Sequence, residues 1–174
     1  IIFATMLYIG YLLWRHQMLR GGHSQELAER YLVWGVIAVL AGSRLGHCLF
    51  YQPEKYLSNP IEILYFWKGG LASHGATAGL VIAMFLFSRK YKLPFIEVLD
   101  RFSMSAAVGA AAVRLGNFLN SEIVGRETDV PWAVRFPRYE RMTQTAPAFR
   151  HPSQLYEFAL GMFVLLALYL ADRW

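Results

Sequence analysis

The run Arg114-Leu115-Gly116-Asn117-Phe118-Leu119-Asn120-Ser121-Glu122-Ile123-Val124-Gly125-Arg126 sets two arginines, two asparagines and a glutamate behind an apolar, alanine-rich stretch, 104–113. A guanidinium stays charged and offers a planar fork of donors that suits phosphate oxygens. In lipid it is costly to leave unpaired, so Arg114 should face a protein interior, a wet cavity or an anionic partner. At 1.5 Å per residue it lies about 7 Å below Leu119, near the helix end and at the depth of a phospholipid headgroup. The simpler alternative is an arginine that snorkels, or that pairs with a glutamate on another helix. Asn117 and Asn120 can hydrogen-bond hydroxyls or hold the arginine, and Glu122 can neutralise Arg114 or Arg126. Orientation is the expected role for these three, rather than catalysis. Gly116 and Gly125 suggest a helix end and a special backbone turn.

Three further groups could do chemistry. His74 sits in Gly69-Gly70-Leu71-Ala72-Ser73-His74-Gly75-Ala76, where small neighbours leave room for a ligand and an imidazole can accept a proton near neutral pH. A lone histidine is also a common structural residue. Arg150-His151-Pro152-Ser153-Gln154 opens the last apolar stretch; Pro152 fits a helix start, and Ser153 and Gln154 can cap it. Tyr156-Glu157 then puts a carboxylate one turn into that stretch, where it needs a partner, and an arginine is the natural candidate.

The chain lacks Gly-x-Ser-x-Gly, His-Glu-x-x-His, a Walker loop and a cysteine pair, so serine hydrolysis, zinc chemistry and nucleotide hydrolysis have no motif support. Neither a metal nor another cofactor is expected. Cys48 is the only cysteine and reads as a small core residue. The net charge of +5 sits in loops between apolar stretches, which points to headgroups or an anionic lipid substrate and away from nucleic acid.

The frame that must position these residues is apolar. Of the 174 residues 56% are hydrophobic, and the mean hydropathy is +0.31, which favours an integral membrane protein. Five apolar spans emerge, at about 1–14, 31–51, 71–87, 95–119 and 152–171, with extramembrane loops at 52–70 and 121–151. Strand-like alternation is absent and the spans are too long for barrel strands, so the fold class is all-α: one polytopic α-helical membrane domain. The first span lacks a basic leader and a cleavage site, and reads as a clipped membrane helix of a chain trimmed at both ends. The alanines and glycine of 106–112 suit close helix packing.

Basic residues in the short loops 15–30 and 89–101 put those loops in the cytoplasm, although the long loop 121–151 carries five arginines of its own. Alternation of the spans alone brings Arg44 and His47, His74, Arg114 to Arg126, and His151 to Glu157 to one membrane face.

Three segments carry a family resemblance: Trp67-Lys68-Gly69-Gly70-Leu71-Ala72-Ser73-His74-Gly75, Arg114 to Arg126, and Arg150-His151-Pro152-Ser153-Gln154-Leu155-Tyr156-Glu157. In order and spacing they resemble the phosphatidylglycerol–prolipoprotein diacylglyceryl transferases, and Gly42-Ser43-Arg44-Leu45-Gly46 supports the match. The resemblance implies a multi-pass enzyme of the bacterial inner membrane with its site toward the periplasm. It implies transfer of diacylglycerol from phosphatidylglycerol to the lipobox cysteine of a preprolipoprotein signal peptide, with membrane lipids around it. Arg114 matches the essential lipid-binding arginine, His74 the signature histidine, and Asn117 and Gly125 further functional positions. The catalytic set is then His74 and Arg114, and the substrate-binding set is Arg114, Asn117, Asn120, Glu122 and Gly125. Family members usually carry glycine where Ala76 stands and commonly where Ser121 stands. A second essential arginine lies in a later helix that this chain does not reach, so activity is expected of a longer parent. The alternatives are a lipid-binding or transport protein without chemistry, and an inactive homologue.

Overall fold

The structure is a computed structural model and describes residues 2–172. Seven α-helices follow in order: α1 (Ile2–Arg20), α2 (Gln25–Phe50), α3 (Pro53–Ser58), α4 (Ser73–Tyr91), α5 (Phe95–Asn120), α6 (Pro137–Thr143) and α7 (Ser153–Ala171). The five long ones fall on the five apolar stretches, with different limits. α2 starts at Gln25 rather than 31, because Ser24 caps it by accepting from the Leu27 amide at 3.2 Å. α1 runs on past Trp14 to Arg20. Among the described residues three helices, α2, α5 and α7, are long and apolar enough to cross a membrane. They make this a polytopic helical membrane protein.

The loops are not featureless. Residues 52–70 hold α3 and two 3₁₀ turns, Pro60–Leu64 and Phe66–Lys68. Residues 121–151 hold α6 and a small antiparallel sheet, β1 (Val134–Arg135) with β2 (Phe149–Arg150). Strands of two residues are too short to leave an alternating pattern in a sequence.

The chain divides into two compact units. One comprises Ile1–His16 with Phe102–Trp174, the other Gln17–Arg101. In the first, Ser105 Oγ donates to the Gly10 carbonyl at 2.7 Å, and Trp14 meets Phe102 edge-on. Gly161 lets α7 approach α5 at Ala111, where a Cβ would lie 2.9 Å from the alanine Cβ. Gly109 and Gly116 meet nothing within 4 Å, so the small residues of α5 are not all packing sites.

In the second unit, α2 and α4 touch backbone to backbone. A Cβ on Gly42 would strike the Gly75 carbonyl oxygen, and one on Gly79 the Ala38 carbonyl oxygen. Gly42 and Gly46 face Gly75 across paired small-residue rows of the kind that bring membrane helices together. Gly75 therefore serves helix contact. It does not leave room for a ligand, as its small size suggested.

Candidate functional site

Within the first unit, the two polar segments of the sequence close on each other. Arg114, on α5, places its Nε 2.8 Å from Oε2 of Glu157 on α7. This is the partner that a carboxylate one turn into α7 demanded. No other hydrogen-bond or ion-pair partner of Arg114 occurs among the described residues, and neither of its Nη groups makes a hydrogen bond there. The pair is about one-third and one-half exposed (32% and 46%), so its strength is screened and its geometry matters more than its energy.

Three residues beyond Arg114 on the same helical face, Asn117 donates from Nδ2 to Oε2 of Glu122 at 3.2 Å. Glu122 thus takes an asparagine where an arginine was expected. Asn120, the last residue of α5, is exposed. α5 ends in a Schellman turn: the Ser121 amide donates to the Phe118 carbonyl at 3.1 Å and the Glu122 amide to the Asn117 carbonyl at 2.8 Å. Ser121 occupies the left-handed position with φ 58°, and Ile123 follows at φ 51°. The special turn therefore falls on two non-glycine residues. Gly116 lies inside α5, and Gly125 answers a different need. A Cβ there would strike the His151 carbonyl oxygen, so glycine is required by close approach of the 150–151 backbone.

That backbone holds the end of the run 114–126. The His151 amide donates to the Arg126 carbonyl at 3.0 Å, and Arg150 Nη1 donates to the Gly125 carbonyl at 3.3 Å. Ser153 and Gln154 do not cap their own helix. Gln154 Nε2 donates to the Glu122 carbonyl at 2.7 Å, and Ser153 Oγ to the Ile123 carbonyl at 3.4 Å. Tyr156 OH accepts from Trp132 Nε1 at 2.6 Å and lies 3.1 Å from His151 Nδ1.

His74 belongs to the second unit, in the first turn of α4. It is exposed, and its contacts are rings: Phe50 edge-on at 5.4 Å and Tyr51 at 5.7 Å. Tyr51 also stacks on His47 at 5.4 Å. The segment leading into His74 is held by Arg44, which span alternation places at the same membrane face but which is not among the expected site residues. Its side chain is among the most buried of the chain (1% exposed). It donates from Nε to the Ile63 carbonyl at 2.9 Å, from Nη2 to Glu62 at 2.6 Å, and from Nη1 to Gly69 at 2.5 Å and Gly70 at 3.3 Å. The Tyr56 ring faces the guanidinium at 5.0 Å. A buried arginine must find acceptors, and here loop carbonyls supply them. An arginine within an apolar stretch was the signal that could have found it.

The sequence model of the family described as Prolipoprotein diacylglyceryl transferase matches residues 1–174. The chain belongs to that family. It is 45% identical over 152 residues to the phosphatidylglycerol–prolipoprotein diacylglyceryl transferase of Nitrosomonas europaea, covering 87% of this chain and 52% of the relative. The protein of the same name from Bordetella bronchiseptica is 45% identical, with 84% and 56% covered. That from Methylobacillus flagellatus is 41% identical over 171 residues, with 94% and 62% covered. The chain spans about half the length of the first of these relatives.

The left-handed φ of Ser121 is the conformation that glycine adopts at least cost. The excursion that continues the turn has its own internal brace. Arg135 donates to both oxygens of Glu140 at 3.1 to 3.2 Å, and the Ala148 amide donates to the same carboxylate. The hydrogen bond from Arg135, first, and that from Ala148 hold the Glu140 carboxyl below its ordinary pKa, against the opposing effect of desolvation. Arg150 pairs with Glu127 at 2.7 Å and lies over the Tyr139 ring.

Proposed function

We propose that this chain is part of an enzyme that moves diacylglycerol from phosphatidylglycerol to the lipobox cysteine of prolipoproteins, the first step of lipoprotein lipidation. Family membership supports the reaction, and one geometric observation supports its chemistry. Arg114 pairs with Glu157, Nε lying 2.8 Å from Oε2, and neither Nη group makes a hydrogen bond among the described residues, which suits the outer edge of the fork to a phosphate.

In the reaction a cysteine thiolate attacks the glycerol carbon that bears the phosphate ester. A C–S bond forms, the C–O bond breaks, and glycerol phosphate leaves with the electron pair. Negative charge grows on the departing phosphate, where a well-placed guanidinium is worth about 3 kcal/mol. Arg114 is assigned that role. His74 is assigned to the same reaction, as acceptor of the thiol proton or as a group that orients the headgroup. Asn117, Asn120, Glu122 and the Gly125 turn are assigned to headgroup binding. Apolar helices facing outward suit lateral entry of a lipid whose tails stay in the bilayer.

The proposed setting is the bacterial inner membrane with the site toward the periplasm, in keeping with the basic short loops 15–30 and 89–101. The rival readings, a lipid binder or transporter without chemistry and an inactive homologue, have no observation in their favour. The test is to incubate the full-length parent with phosphatidylglycerol vesicles and a lipobox peptide and weigh the peptide. A diacylglyceryl mass gain is expected; lipid binding without mass gain would refute the enzymatic reading.

A further inference from the structure

Glu122 is held at three points. Its amide and its carboxylate both bond Asn117, at the end of its own helix. Its carbonyl is held from another helix, by Gln154 Nε2 at 2.7 Å. Gln154 is 1% exposed, so this bond is shielded from water and its loss would leave a carbonyl without its donor. The orientation of the amide is fixed by chemistry, because turning it over would set one carbonyl oxygen against another.

The turn so held is one the chain would not adopt by itself. Ser121 and Ile123 both have positive φ, and a β-branched residue in that region persists only where the surroundings over-determine it. Ser153 Oγ, at 3.4 Å from the Ile123 carbonyl, is too long to do so alone. Gln154 also lies three residues before Glu157 on the same face of α7. One helical face therefore holds both the turn after α5 and the Arg114 guanidinium.

We propose that Gln154 is a positioning residue for the lipid headgroup. Its buried amide latches the Glu122 carbonyl, and through it the Asn117–Glu122 pair one turn from Arg114. The role in catalysis rests on the function proposed above; the latch itself does not.

The test uses the full-length parent in phosphatidylglycerol vesicles, with Gln154→Met, which keeps the shape and removes the donor, and Gln154→Glu, which donates only when protonated. Amide hydrogen exchange over 121–125 should quicken about tenfold in Gln154→Met, and KM for phosphatidylglycerol should rise about tenfold with kcat less affected. In Gln154→Glu the KM defect relative to wild type should shrink as pH falls. Wild-type exchange and KM in Gln154→Met would overturn the latch. So would a fall in melting temperature and kcat together with no recovery of Gln154→Glu at low pH, since that marks a merely structural residue. A wild-type parent that transfers nothing would remove the enzymatic reading, while the exchange comparison would still decide the latch.

Discussion

Arg114 on α5 and Glu157 on α7 meet in an ion pair that spans Nε to Oε2 at 2.8 Å. Glu157 therefore orients the guanidinium while leaving its Nη groups uncommitted. Glu157→Gln keeps the shape and removes the charge. In the full-length parent, diacylglyceryl transfer should fall roughly 10- to 100-fold through loss of orientation. The melting temperature should barely move, because a pair this exposed contributes little to stability. Transfer rates and thermal melts on the same preparation check both halves.

Ser121 takes a left-handed conformation at the end of α5. Ser121→Gly should stabilise the protein by up to about 1 kcal/mol, the relief of an L-residue in that region less the added freedom of the unfolded chain. Ser121→Val should destabilise it. Thermal melts in detergent measure the ordering Gly above Ser above Val.

Gly75 lies against the backbone of α2 at Gly42 and Gly46. Gly75→Ala should force the two helices apart and cost about 1–3 kcal/mol. Ala is otherwise the better helix former, so a stabilised Gly75→Ala variant in the same melt would contradict the close packing.

Glu140 gives a pH dependence of definite sign. Its folded-state pKa is lowered by the Arg135 hydrogen bond first. The stability it contributes is present above the ordinary glutamate value, about 4.3, and is lost as pH falls through that value to the lowered folded one. Hydrogen exchange over 134–148 should quicken on acidification in wild type. In Glu140→Gln that part of the dependence should vanish.

Much of this arrangement can be read from residue types. Apolar stretches of helical length foretell the long helices, and a lone carboxylate one turn into α7 foretells an arginine partner, which Arg114 supplies. Other features depend on what lies opposite. Nothing in a serine announces a left-handed φ, since that conformation follows from how α5 terminates. Gly75 reads as open space until Gly42 and Gly46 are seen against it. Arg44 is satisfied by carbonyls of a loop up to 26 residues away, and backbone carbonyls carry no sequence signature. Gln154 reads as a cap because capping is local, whereas its actual acceptor lies on the turn after another helix.

The most direct measurement concerns the guanidinium itself. Arg114→Lys keeps the charge and loses the planar fork. With the full-length parent, phosphatidylglycerol vesicles and a lipobox peptide, the rate of diacylglyceryl mass gain should fall by about 100-fold or more, with the melting temperature close to wild type. A folded Arg114→Lys protein that transfers at the wild-type rate would remove Arg114 from the chemistry.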